Sequence, residues 1–216
     1  MFRLSAAVGA ALLLGACGGG GSGGTNPPGP PTQLVKSAGD AQNWYFNNPL
    51  PAILSVTVED ADGKPVPNIV VTWNVASGGG AVSPTQSTSN ANGVATTVDS
   101  IGSSTLQTVT ATFTGFPSTV TFNEAATTPP TTGSVDIKDN FFSPNGLAVQ
   151  VGGSVTWTWA GSTSHTLTFT SGPAPLPAET PAQMTGTRTI TFNSVGSYAY
   201  HCTIHSGMAA TLTIVH

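Results

Sequence analysis

Near the end of the 216-residue chain, the sequence reads Gly196-Ser197-Tyr198-Ala199-Tyr200-His201-Cys202-Thr203-Ile204-His205-Ser206-Gly207-Met208. The first half of this stretch is typical of a β-strand, in which side chains point alternately to the two faces. Tyr198, Tyr200 and Cys202 therefore share one face, and the two aromatic residues indicate that this face belongs to a hydrophobic core. We expect Cys202 to point inward and His201 to point outward.

The second half of the stretch brings three kinds of metal ligand into one short loop. His205 follows Cys202 by three residues and Met208 follows His205 by three. A tight turn, eased by Gly207, can therefore fold both side chains back towards the cysteine. A thiolate, an imidazole and a thioether together favour copper over zinc, calcium or magnesium. A thiolate with two imidazoles in one plane and a weak axial thioether is the ligand set of a blue-copper electron-transfer site.

The second imidazole is predicted to come from His165. Leu167 and Phe169 follow it at alternate positions of a predicted strand, so all three side chains share an inward face. A buried histidine is more often a hydrogen-bonded core residue than a ligand. An inward-facing, unpaired cysteine nearby nevertheless favours the ligand role.

Met208 is the predicted axial ligand, although a methionine here could instead fill a gap in the core. The other candidate, Met184, lies in a proline-rich loop far from Cys202 in sequence, whereas the turn delivers Met208 directly. The sequence thus predicts one copper ion per chain, held by His165, Cys202, His205 and Met208.

Composition indicates an all-β protein, because only 6% of the residues are charged and glycine, proline and β-branched residues outnumber helix formers. Breaks rich in glycine, proline or threonine at 17–32 and 127–133 leave two segments, 33–126 and 134–216. Each has the size and strand pattern of a Greek-key β-sandwich. The predicted strands are Ile53–Glu59, Ile69–Val75, Val94–Val98, Thr108–Thr114 and Thr119–Asn123, then Val135–Lys138, Leu147–Val151, Ser154–Trp159, His165–Thr170, Thr187–Phe192, Ser197–Cys202 and Ala210–Val215.

Residues 1–16 predict a secretion signal. Arg3 precedes an apolar run, Ala6–Leu14, that is too short to span a bilayer as a helix. The box Leu14-Gly15-Ala16-Cys17 resembles the end of a bacterial lipoprotein signal, in which Cys17 is acylated and becomes the new N-terminus. An ordinary signal cleaved nearby is the alternative. The linker 17–32 would then hold the folded part away from a membrane surface.

The net charge argues against nucleic-acid binding, and the cysteine count argues against a disulfide. Loss of Arg3 with the signal leaves a net charge of about −5, which is unsuited to binding nucleic acid. Lipidation of Cys17 leaves Cys202 without a disulfide partner. A disulfide between the two is disfavoured, because Cys17 lies in a glycine tract that would not hold it near a partner.

Segment 33–126 resembles bacterial Ig-like domains of the invasin/intimin group. The resemblance rests on Val56-Thr57-Val58-Glu59-Asp60-Ala61-Asp62-Gly63-Lys64-Pro65-Val66-Pro67-Asn68, Gly78-Gly79-Gly80 and Asn90-Ala91-Asn92-Gly93-Val94-Ala95-Thr96. It implies a spacer or adhesive module at the cell surface. We expect no cluster of titratable residues capable of chemistry in this segment. Asp60 and Asp62 fit a solvated turn better than a calcium site.

Segment 134–216 resembles a cupredoxin of the plastocyanin/amicyanin family. The matching residues are Phe141-Phe142-Ser143-Pro144, Val149-Gln150-Val151-Gly152-Gly153-Ser154-Val155-Thr156-Trp157, Ser164-His165-Thr166-Leu167 and the stretch quoted first. Its Cys-x2-His-x2-Met loop is the short, amicyanin-like form. Many members carry asparagine directly after the first ligand histidine, where it braces the cysteine loop, but here that residue is Thr166. The resemblance implies one-electron transfer through cycling of copper between Cu(I) and Cu(II), with His205 as the electron conduit to solvent.

The predicted function is therefore that of a non-enzymatic electron carrier. It would be lipid-anchored in the cell envelope, on the periplasmic side of a membrane or at the cell surface, with the outer membrane favoured for a Gram-negative source. We expect a monomer whose partners are redox proteins. They would dock on an apolar rim comprising Gly207, Ala209 and the loop Pro173–Pro177, with little dependence on salt.

Three other functions compete with this prediction. The protein could be a surface adhesion or spacer lipoprotein whose copper fold is a relic, or a copper scavenging or delivery module that uses the same ligands. An enzyme such as a copper nitrite reductase or a multicopper oxidase is disfavoured. A second copper centre needs further histidines, and only His201 and His216 remain. A binuclear centre would need two cysteines in the loop.

Overall fold

The computed structural model of the chain describes residues 27–117 and 119–216. Within these ranges the chain forms eighteen β-strands, and no helix there is long and apolar enough to cross a membrane. The strands build two β-sandwiches in tandem, which confirms the predicted fold class. The predicted signal 1–16, the lipidation site Cys17 and the first part of the predicted linker lie outside the described residues.

The first sandwich contains nine strands. They are β1 (Gln33–Ala38), β2 (Asn43–Tyr45), β3 (Leu54–Glu59), β4 (Val70–Ser77), β5 (Gly80–Ser83), β6 (Gln86–Thr88), β7 (Val94–Ile101), β8 (Leu106–Phe113) and β9 (Val120–Thr127). One sheet has the order β1-β3-β7-β5 and the other the order β2-β9-β8-β4-β6. Inward-facing side chains of both sheets form one core, in which Leu54, Trp73 and Phe122 are almost fully buried.

The second sandwich also contains nine strands. They are β10 (Thr132–Lys138), β11 (Phe141–Ser143), β12 (Gly146–Gln150), β13 (Ser154–Trp159), β14 (His165–Ser171), β15 (Thr180–Gln183), β16 (Gly186–Thr191), β17 (Gly196–His201) and β18 (Ala209–Val215). The sheets have the orders β11-β10-β13-β16 and β12-β18-β17-β14-β15. Trp157 stands at the centre of the core, with its ring edge-on to Phe169 and Tyr200 at centroid distances of 5.7 Å each.

Every strand predicted from the sequence overlaps an observed one, with ends shifted by a few residues. Six observed strands were not foreseen, namely β1, β2, β5, β6, β11 and β15. Five of the six are only three or four residues long, too short to show an alternating pattern. β17 follows the predicted parity, because Tyr198, Tyr200 and the adjoining Cys202 are buried while His201 is partly exposed.

The first sandwich buries an acidic pair that the sequence did not reveal. Asp99 and Glu124 are 0% and 2% exposed, respectively. Nε2 of Gln107 donates to both oxygens of Asp99 at 2.7 Å, and Oε2 of Glu124 accepts the amide hydrogen of Gln42 at 2.6 Å. Burial raises the pKa of Asp99 to about 6 and the pKa of Glu124 to about 7. Asp99, Gln107 and Glu124 lie on three different strands, so no local sequence motif links them.

The prediction of a solvated turn is wrong for Asp60, which is 3% exposed, while Asp62 is exposed as expected. Oδ1 of Asp60 accepts the amide hydrogens of Asp62 and Lys64, both at 2.9 Å, and Oδ2 accepts that of Gly29 at 2.8 Å. The carboxylate therefore organises the turn and fixes the end of the proline-rich segment against the first sandwich.

Candidate metal centre

Two neighbouring strands bring the predicted ligands to one end of the second sandwich. β14 and β17 pair antiparallel, with Thr168 opposite His201 and Phe169 opposite Tyr200. The start of β14 therefore lies beside the end of β17, which places His165 next to Cys202 although the two are 37 positions apart in sequence. This neighbourhood follows from sheet register rather than from any local motif.

The loop from Cys202 to Met208 closes on itself. β17 and β18 form its two sides, with His201 opposite Ala209. The amide of Cys202 donates to the carbonyl of Met208 at 3.0 Å, and the amide of Met208 donates to the carbonyl of His205 at 3.3 Å. Gly207 has a φ of 81°, in the left-handed region that glycine occupies without strain. The predicted tight turn is confirmed.

Three of the four predicted ligands converge at this point. Sγ of Cys202 lies 3.8 Å from Nδ1 of His165 and 3.6 Å from Nδ1 of His205. The three ligand atoms lie within 4.8 Å of one another, and the two imidazole centroids are 4.6 Å apart. Since metal–nitrogen and metal–sulfur bonds are about 2.0–2.3 Å long, one ion can contact all three atoms.

Burial differs among the three convergent residues. His165 is 0% exposed and Cys202 is 4% exposed, so the protein closes off their side of the site. His205 is partly exposed, as expected of a ligand at the solvent edge. Cys202 forms no disulfide within the described residues and is a free, buried thiol. Two of the three convergent residues are therefore shielded from solvent, and His205 is the one that solvent can reach.

The environment of Cys202 favours the thiolate. Burial alone raises the pKa of a thiol, but hydrogen bonds from the amides of Thr166 and Ile204, together with the adjacent imidazoles of His165 and His205, outweigh it and lower the pKa of Cys202 to about 6. The amide of Thr166 lies 3.5 Å from Sγ. A metal that prefers thiolate therefore meets a side chain already disposed to lose its proton.

Met208 is 2% exposed and belongs to the same core cluster as Cys202. Met184 follows β15, whose Gln183 lies opposite His165 in the sheet, so it comes nearer to the site than its sequence position suggested. It is nevertheless 50% exposed. A buried thioether in the cysteine loop fits the role of axial ligand better than an exposed one, and Met208 stays the predicted ligand.

Thr166 braces the cysteine loop in place of the asparagine that many cupredoxins carry. Its Oγ1 accepts the amide hydrogen of Thr203 at 2.8 Å, and its hydroxyl lies 3.0 Å from the Thr203 hydroxyl. The same Oγ1 lies 3.8 Å from Sγ of Cys202. A threonine thus supplies the acceptor that the loop needs.

Sequence reasoning missed two residues that orient His165. The indole Nε1–H of Trp159 donates to the carbonyl of His165 at 2.9 Å in the buried core. Oδ1 of Asp139 lies 3.3 Å from Nε2 of the imidazole. Hydrogen bonds from Ser162 and Thr163 hold the pKa of the Asp139 carboxyl well below its usual range. A turn aspartate 26 positions upstream carries no periodic signal that could have identified it.

One part of the predicted docking rim is wrong. The loop Pro173–Pro177 packs near Gly196 and Tyr198, at the start of β17, whereas Cys202 follows the end of that strand. It therefore lies at the opposite end of the sandwich from the ligands. Gly207 and Ala209 are exposed beside the site, and Ile204 in the same loop is 50% exposed.

Comparison with known proteins supports the identity of the metal. Residues 131–215 match the copper binding proteins of the plastocyanin/azurin family. Residues 40–127 match the bacterial Ig-like domain, group 1, so the two families occur in the predicted order. The cupredoxin match and the convergence of two imidazoles with a thiolate both imply copper, and this donor set suits that metal.

Several solved structures are similar to parts of the chain. The purple cupredoxin of Nitrosopumilus maritimus is 22% identical over 38% of this chain and 99% of its own, with a TM-score of 0.35. A reduced amicyanin mutant is 29% identical over 38% of this chain and 80% of its own, with a TM-score of 0.33. The D00-D0 domain of intimin is 19% identical over 44% of each chain, with a TM-score of 0.35. No curated protein matches the sequence.

Proposed function

We propose that the protein is an electron carrier of the cell envelope whose redox centre is a type 1 copper site in the second sandwich. The observation that carries this proposal is the convergence of Cys202 Sγ with the Nδ1 atoms of His165 and His205. Met208, buried in the same core cluster, would supply the fourth ligand. Copper bound there supplies a one-electron couple between Cu(I) and Cu(II).

The protein's part in this function is to hold the ligands rigid. His165 and Cys202 are almost fully buried and follow paired strands, so the packing around them opposes rearrangement when the charge of the site changes. The brace from Thr166 to Thr203 fixes the loop that carries the remaining ligands. The aromatic core covers Cys202 on its inner side, and this packing together with the hydrogen bond from the Thr166 amide would help to set the potential.

Electrons would enter and leave through His205, the one accessible member of the convergent trio. The apolar surface around it comprises Ile204, Gly207 and Ala209, next to Phe141, which is 52% exposed. We propose that a redox protein docks there, through apolar contact rather than charge steering. The first sandwich and the lipid anchor at Cys17 would present this surface at a distance from a membrane.

Spectroscopy of the copper-loaded protein tests the proposal. We expect one copper per chain, an intense thiolate-to-copper band in the visible and reversible one-electron reduction. The variant Cys202→Ser should lose the band, because a hydroxyl cannot replace the thiolate. The matched control is His201→Ala, which removes an outward-facing imidazole next to the cysteine and should keep the band.

The same experiment separates the alternatives. A spacer protein with a relic site would stay colourless after addition of copper. A scavenging or delivery module would bind copper but exchange it rapidly with a chelator and show little reversible redox activity. Either result would overturn the proposal of electron transfer.

A further inference from the structure

The imidazole ring of His165 has Cys202 on one side and polar oxygens on the other. Its Nδ1 faces Sγ of Cys202, whereas its Nε2 faces away from the thiolate. On that far side lie Oγ1 of Thr163 at 3.1 Å and Oδ1 of Asp139 at 3.3 Å. Because His165 is fully buried, these two oxygens and the protein around them define the environment of Nε2.

The carboxylate of Asp139 is itself fixed by the loop that precedes His165. Oδ1 accepts the amide hydrogens of Ser162 and Thr163, both at 2.9 Å, and Oδ2 accepts the Ser162 hydroxyl at 2.6 Å. A Cβ on Gly161 would lie only 2.5 Å from Oδ1, so the loop can wrap this closely only with glycine there. The Asp139 side chain is 39% exposed, yet these hydrogen bonds fix its carboxylate in place beside His165.

The hydrogen bonds determine which imidazole nitrogen carries the proton. An ionised carboxylate can only accept, so the Thr163 hydroxyl, 2.7 Å from Oδ1, donates its hydrogen to Asp139. The Thr163 oxygen then presents a lone pair to His165. Both atoms facing Nε2 are thus acceptors, which requires hydrogen on Nε2 and makes Nδ1, the nitrogen beside Sγ of Cys202, the one available to a metal.

We propose that Asp139, acting through Thr163 and directly, is a positioning residue that fixes His165 as the Nε2-protonated tautomer. We further propose that its negative charge behind this ligand favours Cu(II) over Cu(I). Carboxylates that accept from a ligating histidine are known to orient the ring and to raise its basicity as a ligand. The first half of the proposal concerns the metal-free protein, and the second half rests on the proposed copper function.

Nitrogen NMR of the metal-free protein tests the tautomer. We expect His165 to be protonated at Nε2 in the wild type and in Asp139→Asn, whose amide oxygen can still accept at the Oδ1 position. In Asp139→Ala we expect the Nδ1-protonated form to appear. An unchanged tautomer in Asp139→Ala would overturn the first half. If that variant does not fold, Thr163→Val should speed exchange of the Nε2 proton with water, and an unchanged rate would count against the proposal.

The affinities of the protein for Cu(II) and Cu(I) test the proposed effect of the Asp139 charge. Asp139→Asn should lower the ratio of Cu(II) to Cu(I) affinity about tenfold, which corresponds to a rise in potential of about 59 mV for one electron. The matched control is Asp136→Asn, which removes the same charge from a side chain of similar exposure, 48% against 39% for Asp139, that is ion-paired with Lys138. It should change the ratio less than about twofold.

The two proposals fail in distinguishable ways. Equal shifts in Asp139→Asn and Asp136→Asn would overturn the role of the charge while leaving a copper site in place. A wild type that binds no copper in a coloured form would overturn the proposed function, yet the tautomer measured without metal would still decide the positioning role of Asp139.

Discussion

At the metal loop, Thr166 replaces the asparagine that many cupredoxins carry after the first ligand histidine. The residue still meets the need of the loop, because its hydroxyl oxygen accepts the amide hydrogen of Thr203 at 2.8 Å. A threonine has a shorter side chain and a single polar atom, so the brace rests on one acceptor. The bracing of the loop by Thr166 therefore depends on one hydrogen bond, which a single substitution can remove.

Thr166→Val removes that acceptor and keeps the shape of the side chain. We expect the second sandwich to lose about 1 kcal/mol of unfolding free energy, because the amide of Thr203 loses its partner at a partly buried position. Exchange of the core amide of Tyr200, measured without copper, reports this loss. The control is Thr156→Val, which breaks a hydroxyl pair with Thr189 on an exposed face. A loss no larger than in this control would show that the brace contributes nothing.

At the same scale, strand parity predicted the inward Cys202 and His165 correctly. The rule works there because each residue continues a strand whose alternate positions are large and apolar. It could not reveal Asp139, which lies in a turn where side chains have no period and whose partners Ser162 and Thr163 stand in another turn. Contacts between turns depend on how strands are paired, and a single sequence does not specify that pairing.

Whether a strand could be predicted from the sequence depended on how long the strand is. Each of the twelve predicted strands has an observed counterpart, whereas pieces such as β2 and β11 have three residues and were missed. A three-residue strand owes its existence to a neighbour rather than to its own pattern. β2 illustrates this, because it pairs with β9, about 80 residues further along the chain. Such edge strands follow from the fold and not from local preference.

The strands of the first sandwich also carry a pH response. Burial of Glu124 raises its pKa from 4.5 to about 7, so the folded state binds the proton more tightly than the unfolded state does. The stabilisation from this protonation is complete below pH 4.5 and is lost as the pH rises through about 7. We expect the ionisation of Glu124 alone to cost the first sandwich about 2 kcal/mol of unfolding free energy between pH 4.5 and pH 8.

Glu124→Gln tests this response, because the amide stays neutral and its oxygen can accept from Gln42 as Oε2 does now. The variant should lose much of the dependence on pH and should be more stable than the wild type at pH 8. Amide exchange in β8, measured across the pH range with correction for intrinsic rates, provides the comparison. Glu59→Gln, at a partly exposed position of β3, is the control. Parallel pH profiles for wild type and Glu124→Gln would show that Glu124 is ionised without penalty.

For the whole molecule, the scarcity of charge is the property that bears most on function. Only 6% of the residues are charged and the formal net charge is −4. The exposed residues of the loop around His205 are all uncharged, namely Thr203, Ile204, Ser206, Gly207 and Ala209. Two copies meeting through these surfaces would feel little attraction or repulsion beyond a Debye length of about 10 Å at 0.1 M salt.

Electron self-exchange between oxidised and reduced copies tests this property without a physiological partner. We expect the rate, measured by NMR line broadening, to change less than about threefold between 10 and 200 mM salt, because electrostatic steering requires charge at the contact. Ile204→Lys places a charge at the centre of the surface and should slow exchange at low salt, with recovery as salt screens the repulsion. A wild-type rate that varies tenfold or more with salt would mean that charges elsewhere on the molecule govern docking. An Ile204→Lys rate equal to the wild-type rate at low salt would place the contact away from His205.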